Sequence, residues 1–280
     1  MATAINTDFM PSGDGTHHHA IVFDDVSIRF DENEVLDGVS FKLERGETKI
    51  LLGIAGAGKS TILKLALGLM KPDRGHIWVL GFDVTEMKEQ ELFELRSKIG
   101  MVFQESALFD SMTVKENVAY RLMEDHDLDD AEILRRVTEA LRFVELEHTL
   151  DMFPSELSGG MRRRVAIARA IVTHPEVLLY DSPTGGLDPI TSTTIIELLL
   201  KQRDVYRTSA LMVTHRLQDA YLMATHCFNQ KQNKMVPVGE GATTDVKTSF
   251  LILRDRKVIF DGTAEQLVQS TDDYIKEYIS

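Results

Sequence analysis

Thr48-Lys-Ile-Leu-Leu-Gly53-Ile54-Ala55-Gly56-Ala57-Gly58-Lys59-Ser60-Thr61 is the stretch on which the fold turns. Its opening, TKILLG, is a short apolar run of the kind that makes a buried strand, and the residues from Lys59 to about Leu69 have helical spacing, closed by Gly68 and Pro72. Between strand and helix, glycine, four residues, glycine, lysine and a hydroxyl residue satisfy the phosphate-loop pattern. Glycines let the backbone curl so that successive N–H groups point inward, and the helix behind them presents its positive end. Lys59 is then expected to reach the β and γ oxygens of a nucleotide, and Ser60 to hold Mg²⁺. A glycine-rich turn with an accidental lysine is the competing reading; the strand before and the helix after it argue against that.

On the N-terminal side of this stretch, AIVFDDVSIRF (Ala20 to Phe30) alternates and is β-rich, VLDGVSFKL does likewise, and Gly46 and Glu47 mark a turn before TKILLG. HIWVLGFDV near 76 and KIGMVF near 98 are further β-rich segments, followed from about 111 to 171 by helical spacing with few β-branched clusters. Sheet character returns at VLLYD (Val177 to Asp181) and ALMVT (Ala210 to Thr214), each preceded by a helical segment. The expected fold is α/β: a P-loop NTPase core with a parallel sheet, an N-terminal antiparallel β subdomain and a helical subdomain insert. Residues 1–19 read as a flexible lead-in, 20–265 as the main domain and 266–280 as a helical tail. His17, His18 and His19 could form a metal clip, but consecutive histidines in such a segment are ordinarily solvated.

With 31 Lys and Arg against 44 Asp and Glu, the 280-residue chain carries a formal charge of −13, a field that repels nucleic-acid backbones. Its single cysteine, Cys227, has no internal partner for a bridge, and the first residues lack the basic stretch and apolar core of an export signal. No apolar run reaches the roughly 18–20 residues needed to cross a bilayer. A cytoplasmic location follows as an expectation, and any membrane role then needs a separate spanning partner.

Val177-Leu178-Leu179-Tyr180-Asp181 is an apolar run ending in acid, as expected of a central strand with a carboxylate at its tip, beyond which ligands bind. Many strands end in Asp; the loop at Gly53 is what makes Asp181 an expected Mg²⁺ partner. Together with Leu157-Ser158-Gly159-Gly160-Met161, these motifs make the chain from about Ile21 to Gly262 resemble the ATP-binding cassette (ABC) ATPases. The resemblance implies that Ser158, Gly159 and Gly160 open a helix that contacts the γ-phosphate of ATP bound by an opposite subunit, so that two copies close head to tail. It further implies that Gln104 senses Mg²⁺ and water and joins the helical insert to the core. Asp188, in Gly186-Leu187-Asp188, should touch the partner copy, His215 the γ-phosphate, and Phe30 should stack on adenine. Outside that resemblance, Phe30 would be read as core and His215 as structural.

The family usually has a glutamate after the strand aspartate that polarises the attacking water, whereas this chain reads Asp181-Ser182-Pro183-Thr184. Ser182 cannot act as a general base, so the expectation is firm Mg-ATP binding with slow turnover, unless Asp188 of the partner copy or a shifted residue substitutes. Met161 stands where glutamine is common, and Arg162, Arg163 and Arg164 read as a solvated helical face, with a γ-phosphate contact as the minority alternative. LSGGMRRRVAIARA, VFQESALFDSMTVKENVAY and GLDPIT look like the ATPases of the Mla/Mce phospholipid-trafficking systems. That likeness implies a membrane permease, an Mce-type lipid-binding partner and a place on the inner face of the cell membrane.

Glu105 to Thr113 should form part of the permease-facing groove, because it follows the glutamine hinge. Asn229 to Ser249 is polar and aperiodic, which predicts a disordered surface loop, with partner docking as the alternative. TDDYIKEYIS can form an amphipathic helix bearing Tyr274, Ile275 and Tyr278, able to pack on its own domain or on a neighbouring subunit. Two other functions compete with the transporter subunit: an ATP-binding switch with little catalysis, motivated by Ser182, and a soluble ABC ATPase of translation or repair. The latter predicts two cassettes, a long coiled-coil insert or a basic surface, none of which this sequence has.

Overall fold

Thr48–Gly53 is buried along its whole length because it lies inside a sheet covered on both faces. The computed structural model describes residues 19–124, 128–239 and 248–279; residues 1–18 of the expected lead-in, with His17 and His18, lie outside them. His19, by contrast, is not part of a flexible segment but opens the first strand, paired with Glu44. The chain runs β1 (His19–Phe30), β2 (Asn33–Glu44), β3 (Thr48–Gly53), α1 (Lys59–Ala66), β4 (Arg74–Val79), β5 (Phe82–Asp83), α2 (Glu89–Ser97) and β6 (Ile99–Val102). It continues with α3 (Val114–Ala119), α4 (Asp130–Phe143), α5 (Gly159–Ile171), β7 (Val177–Asp181), α6 (Pro189–Tyr206), β8 (Ser209–Val213) and α7 (Leu217–Thr225). The last elements are β9 (His226–Asn229), β10 (Lys234–Pro237), β11 (Thr248–Arg254), β12 (Lys257–Thr263), α8 (Ala264–Val268) and α9 (Asp273–Ile279).

Two main sheets result. The central one has the order β12-β11-β3-β8-β7-β6, parallel except for the β11–β12 hairpin, and the other is the antiparallel β2-β1-β4-β5. Alternation along β3 sends Leu51 to the face packed with α1 and the antiparallel sheet. Ile50 and Leu52 point to the other face, where α5, α6 and the helical insert pack. Each fully buried Leu or Ile contributes about 1.5–3 kcal/mol, so a one-residue slip of β3 would reverse both faces at once. The fold is the expected α/β arrangement with α3, α4 and α5 inserted between β6 and β7.

Two local expectations change. Helix α1 ends at Ala66 rather than near Leu69, because Gly68 turns the chain at φ +62° and the Gly68 and Leu69 amides bond back to Leu65 and Lys64. The segment from Asn229 is not simply a disordered loop: β9 and β10 form a hairpin with Cys227, Phe228 and Val236 buried. Its turn is made by Asn229 Oδ1, which accepts the Lys231 and Gln232 amides, and by Asn233 at φ +49°. The hairpin is anchored where the Phe228 amide donates to Asp204 (2.6 Å) and the Met235 amide to Glu197 (2.8 Å). Short polar strands carry little hydrophobic alternation, which is why the sequence did not announce them. Residues 240–247 lie outside the described residues.

Candidate nucleotide site at the carboxyl edge of the sheet

Because β3, β8, β7 and β6 are parallel neighbours, their carboxyl ends open on one edge. Gly53 ends β3, Asp181 ends β7 opposite Val213, and Val102 pairs with Tyr180 one residue earlier. The loop Gly53–Gly58, the pair Asp181-Ser182, His215 after β8 and Gln104 after β6 thus come to one rim by topology alone.

The loop is shaped by close approaches. A Cβ on Gly53 would stand 2.7 Å from the Leu253 carbonyl of β11, and Gly58, at φ +90°, leaves no room beside Leu36 of β2. Lys59 is buried; its ammonium folds over the loop and donates to the carbonyls of Gly53 (2.8 Å) and Ile54 (2.7 Å). Burial pushes its pKa down, while the nearby Asp181 carboxylate opposes that shift. Ile54, Ala55, Gly56 and Ser60 are exposed, Ala57 and Thr61 half-buried. No acidic residue occupies the first turn of α1 and no side chain caps it. A helix N-terminus left uncapped beside an outward-facing glycine loop has amide donors for an anion. Ser60 and Asp181 are oxygen donors suited to Mg²⁺ that is shared with phosphates rather than caged by protein. The residues therefore fit an Mg²⁺–triphosphate.

Asp181 is half-buried, while Gln104 and His215 are exposed on the same rim. Ser182 is buried at φ +47°, its amide donating to the Val213 carbonyl (2.8 Å). Asp188 caps α6 through the Ile190 and Thr191 amides and the Thr191 hydroxyl, which lower its pKa. Ser158 caps α5, its hydroxyl accepting the Met161 amide, with Ser158 and Gly159 exposed. These three belong to the helical layer, and Ser158–Gly160 start α5, which packs on α3, α4, α6 and β6. Phe30, at the end of β1, is 40% exposed rather than core.

The arginine run departs from a solvated face. Arg163 is buried and its guanidinium donates to the carbonyls of Phe103, Ser182 and Gly185, with Nε left unpartnered. Burial lowers its pKa, with Glu105 partly countering. Arg162 donates to Leu157 and Arg164 to Val144 carbonyls. Arg216, next to His215, reaches the carbonyls of Thr184 and Leu187 and the hydroxyl of Ser192, and Thr184 bonds to the buried Asp219. Neither arginine was readable from spacing, since one charge among several gives no sign of which face it takes.

The ABC transporter family model matches residues 36–185, which span the loop, the Ser-Gly-Gly turn and the acidic strand tip. The chain belongs to this family. As a cassette of that family it is an ABC transporter ATP-binding subunit, and the family binds and hydrolyses ATP. Among curated relatives, it is 38% identical over 263 residues to protein TRIGALACTOSYLDIACYLGLYCEROL 3, chloroplastic, of Arabidopsis thaliana (91% of the chain, 71% of the relative). It is 31% identical to the intermembrane phospholipid transport system ATP-binding protein MlaF of Haemophilus influenzae (88% and 84%). It is 39% identical to the methionine import ATP-binding protein MetN of Bifidobacterium longum (73% and 51%). Among solved structures, it matches the dimeric cassette MJ0796 bound to ADP and Pi with TM-score 0.72 at 28% identity, over 87% of the chain and 98% of that one.

Proposed function

We propose that this cassette holds Mg-ATP at the rim described above, and that two copies close head to tail over it to drive a membrane permease that moves phospholipid. The carrying observation is the convergence of Lys59, Asp181, Ser182, Gln104 and His215 on one strand edge, with Lys59 folded over an uncapped helix N-terminus. Lys59 and the amides of Gly53–Thr61 bind phosphate, Ser60, Asp181 and Gln104 hold Mg²⁺, and His215 contacts the γ-phosphate. Phe30, exposed at the end of β1, stacks on adenine. Ser158, Gly159, Gly160 and Asp188 serve the site of the opposite copy. Two relatives named for lipids support the substrate class, whereas the methionine-import relative favours an amino acid; the lipid relatives are matched over more of this chain.

Among the described residues no helix is long and apolar enough to cross a membrane, so the permease supplies the path and holds the cassette at the inner face of the membrane. The groove lined by Phe103, Phe109, Tyr120 and Arg169 faces that permease, and an Mce-type protein is the expected lipid carrier. Ser182 replaces the water-polarising carboxylate, which costs about 10²–10⁴-fold in rate, or roughly 3–5 kcal/mol. An ATP-binding switch is the second reading, and Ser182 is what favours it.

Phosphate release and MgATP titration of the purified chain test this, alongside Lys59→Ala and Ser182→Glu. Binding lost in the first variant and faster turnover in the second support the reading; a wild type indifferent to ATP defeats it. Lipid recovered with the permease complex pulled down through this chain supports the substrate class, and a bound amino acid defeats that part.

A further inference from the structure

The tail packs on its own domain. Ile275 of α9 is buried in the core cluster that contains Ile50, Leu52 and Ile252, and the Arg254 guanidinium lies 4.0 Å from the centre of the Tyr274 ring. Tyr274 and Tyr278 stack with centroids 5.9 Å apart. This places the Tyr278 hydroxyl 3.1 Å from the Gly53 amide, which donates to it across 225 residues of sequence.

Gly53 is held on both sides of its own residue. Its N–H goes to Tyr278, its carbonyl takes the Lys59 ammonium, and its Cα has no space for a side chain beside Leu253. The first peptide of the phosphate loop is therefore fixed by the tail, and the lysine is docked on the next atom group along. We propose that Tyr278 is a positioning residue for nucleotide binding: the tail hydroxyl sets the entry of the phosphate loop and, through Gly53, the resting place of Lys59. This rests on the reading of Gly53–Thr61 as the ATP cradle. Linkage makes the effect reciprocal, so MgATP tightens the docking of α9 by the factor with which α9 tightens MgATP.

The neighbouring ring supplies the control. Tyr274 Oη is buried with no hydrogen-bond partner, so Tyr274→Phe removes a hydroxyl that bonds nothing. Tyr278→Phe keeps the stacked ring and removes one acceptor. The full-length chain, both variants and Lys59→Ala are titrated with MgATP by calorimetry, with melting temperature and exchange of the Gly53 amide followed in parallel. Tyr278→Phe is expected to weaken MgATP about five-fold, the change that about 1 kcal/mol for one hydrogen bond gives. It should raise KM with kcat unchanged and speed Gly53 exchange, while Tyr274→Phe matches wild type. Equal affinity in wild type and Tyr278→Phe, with Lys59→Ala still defective, overturns the proposal alone. The same follows if both tyrosine variants shift together, since that marks general loosening of the tail. A wild type that does not bind MgATP overturns the cradle reading and this inference with it.

Discussion

Arg163 Nη1 donates to the carbonyl oxygen of Ser182 across 3.2 Å, tying the helix that begins at Ser158 to the residue that follows Asp181. The same guanidinium holds Phe103, the residue before Gln104, and Gly185, three residues before Asp188. One side chain thus joins α5 to the loop after β6 and to the turn between β7 and α6, and any rotation of α5 must carry or break those bonds. In a low-dielectric site a planar guanidinium can satisfy several carbonyls at fixed angles where an ammonium cannot.

Replacing Arg163 should therefore cost both stability and turnover. Arg163→Met leaves three carbonyls short of a donor, and about 3 kcal/mol of stability should be lost, readable as a lower urea midpoint at unchanged slope. Arg163→Lys should recover part of the stability but little of the rate. A kcat that survives in Arg163→Lys would show that the guanidinium geometry is immaterial to the cycle.

The two glycines of the signature turn predict opposite phenotypes. A Cβ on Gly160 would meet Thr191 Cγ2 at 2.5 Å, and Thr191 is pinned by its bond to Asp188; a Cβ on Gly159 would meet only Leu187 at 3.9 Å. Gly160→Ala should lower the melting temperature, at a cost of about 1–3 kcal/mol for overpacking. Gly159→Ala should melt like wild type yet bind and hydrolyse ATP poorly, because its exposed face is where the other copy's nucleotide would approach. Thermal melts beside ATPase rates separate them; equal melting losses would refute the assignment.

What the sequence made legible were the features with short-range physics. TKILLG and VLLYD are apolar runs and GIAGAGKS is a glycine pattern, so the strand edge and its loop are legible in the sequence itself. Side chains whose role depends on which neighbour reaches them were not legible. Arg163 carries the same charge as the more exposed Arg162, and only the packing of α5 on β6 and α6 decides that one is buried. Asn117 is fully buried, and its amide bonds Phe109, Met112 and Thr113, yet nothing in VKENVA marks it. The β9–β10 hairpin escaped because its anchors, Asp204 and Glu197, sit on α6, far away in sequence.

The depressed pKa of Lys59 predicts a pH signature. Burial lowers it from 10.5, so below that value the folded chain gives up this proton before the unfolded chain does. The unfolded state then binds more protons and stability rises with pH, a contribution complete above 10.5 and lost as pH falls through the folded value. Urea titrations over the alkaline range up to 10.5 should show this rise in wild type and not in Lys59→Met. Saturating MgATP should suppress it, since triphosphate charge favours the ammonium. Parallel curves for wild type and variant would remove the basis for a desolvated lysine.

Asn117 links a buried side chain to the expected permease groove. Its Oδ1 accepts the Phe109 amide and its Nδ2 donates to three carbonyls, so the loop carrying Phe109 is held from beneath. Phe109 then stacks at a tilt on Tyr120, centroids 4.9 Å apart, with both rings roughly 40% exposed, and Arg169 fixes the other side through Ser106 and Ala107. Exposed paired aromatics on a braced loop are the anchors an interface uses. Asn117→Ala should loosen the loop and cost about 2 kcal/mol or more through its orphaned partners. Tyr120→Ser should leave the melting temperature near wild type but sharply reduce capture of the permease from detergent extracts. If Tyr120→Ser captures as much permease as wild type does, this groove is not the docking face.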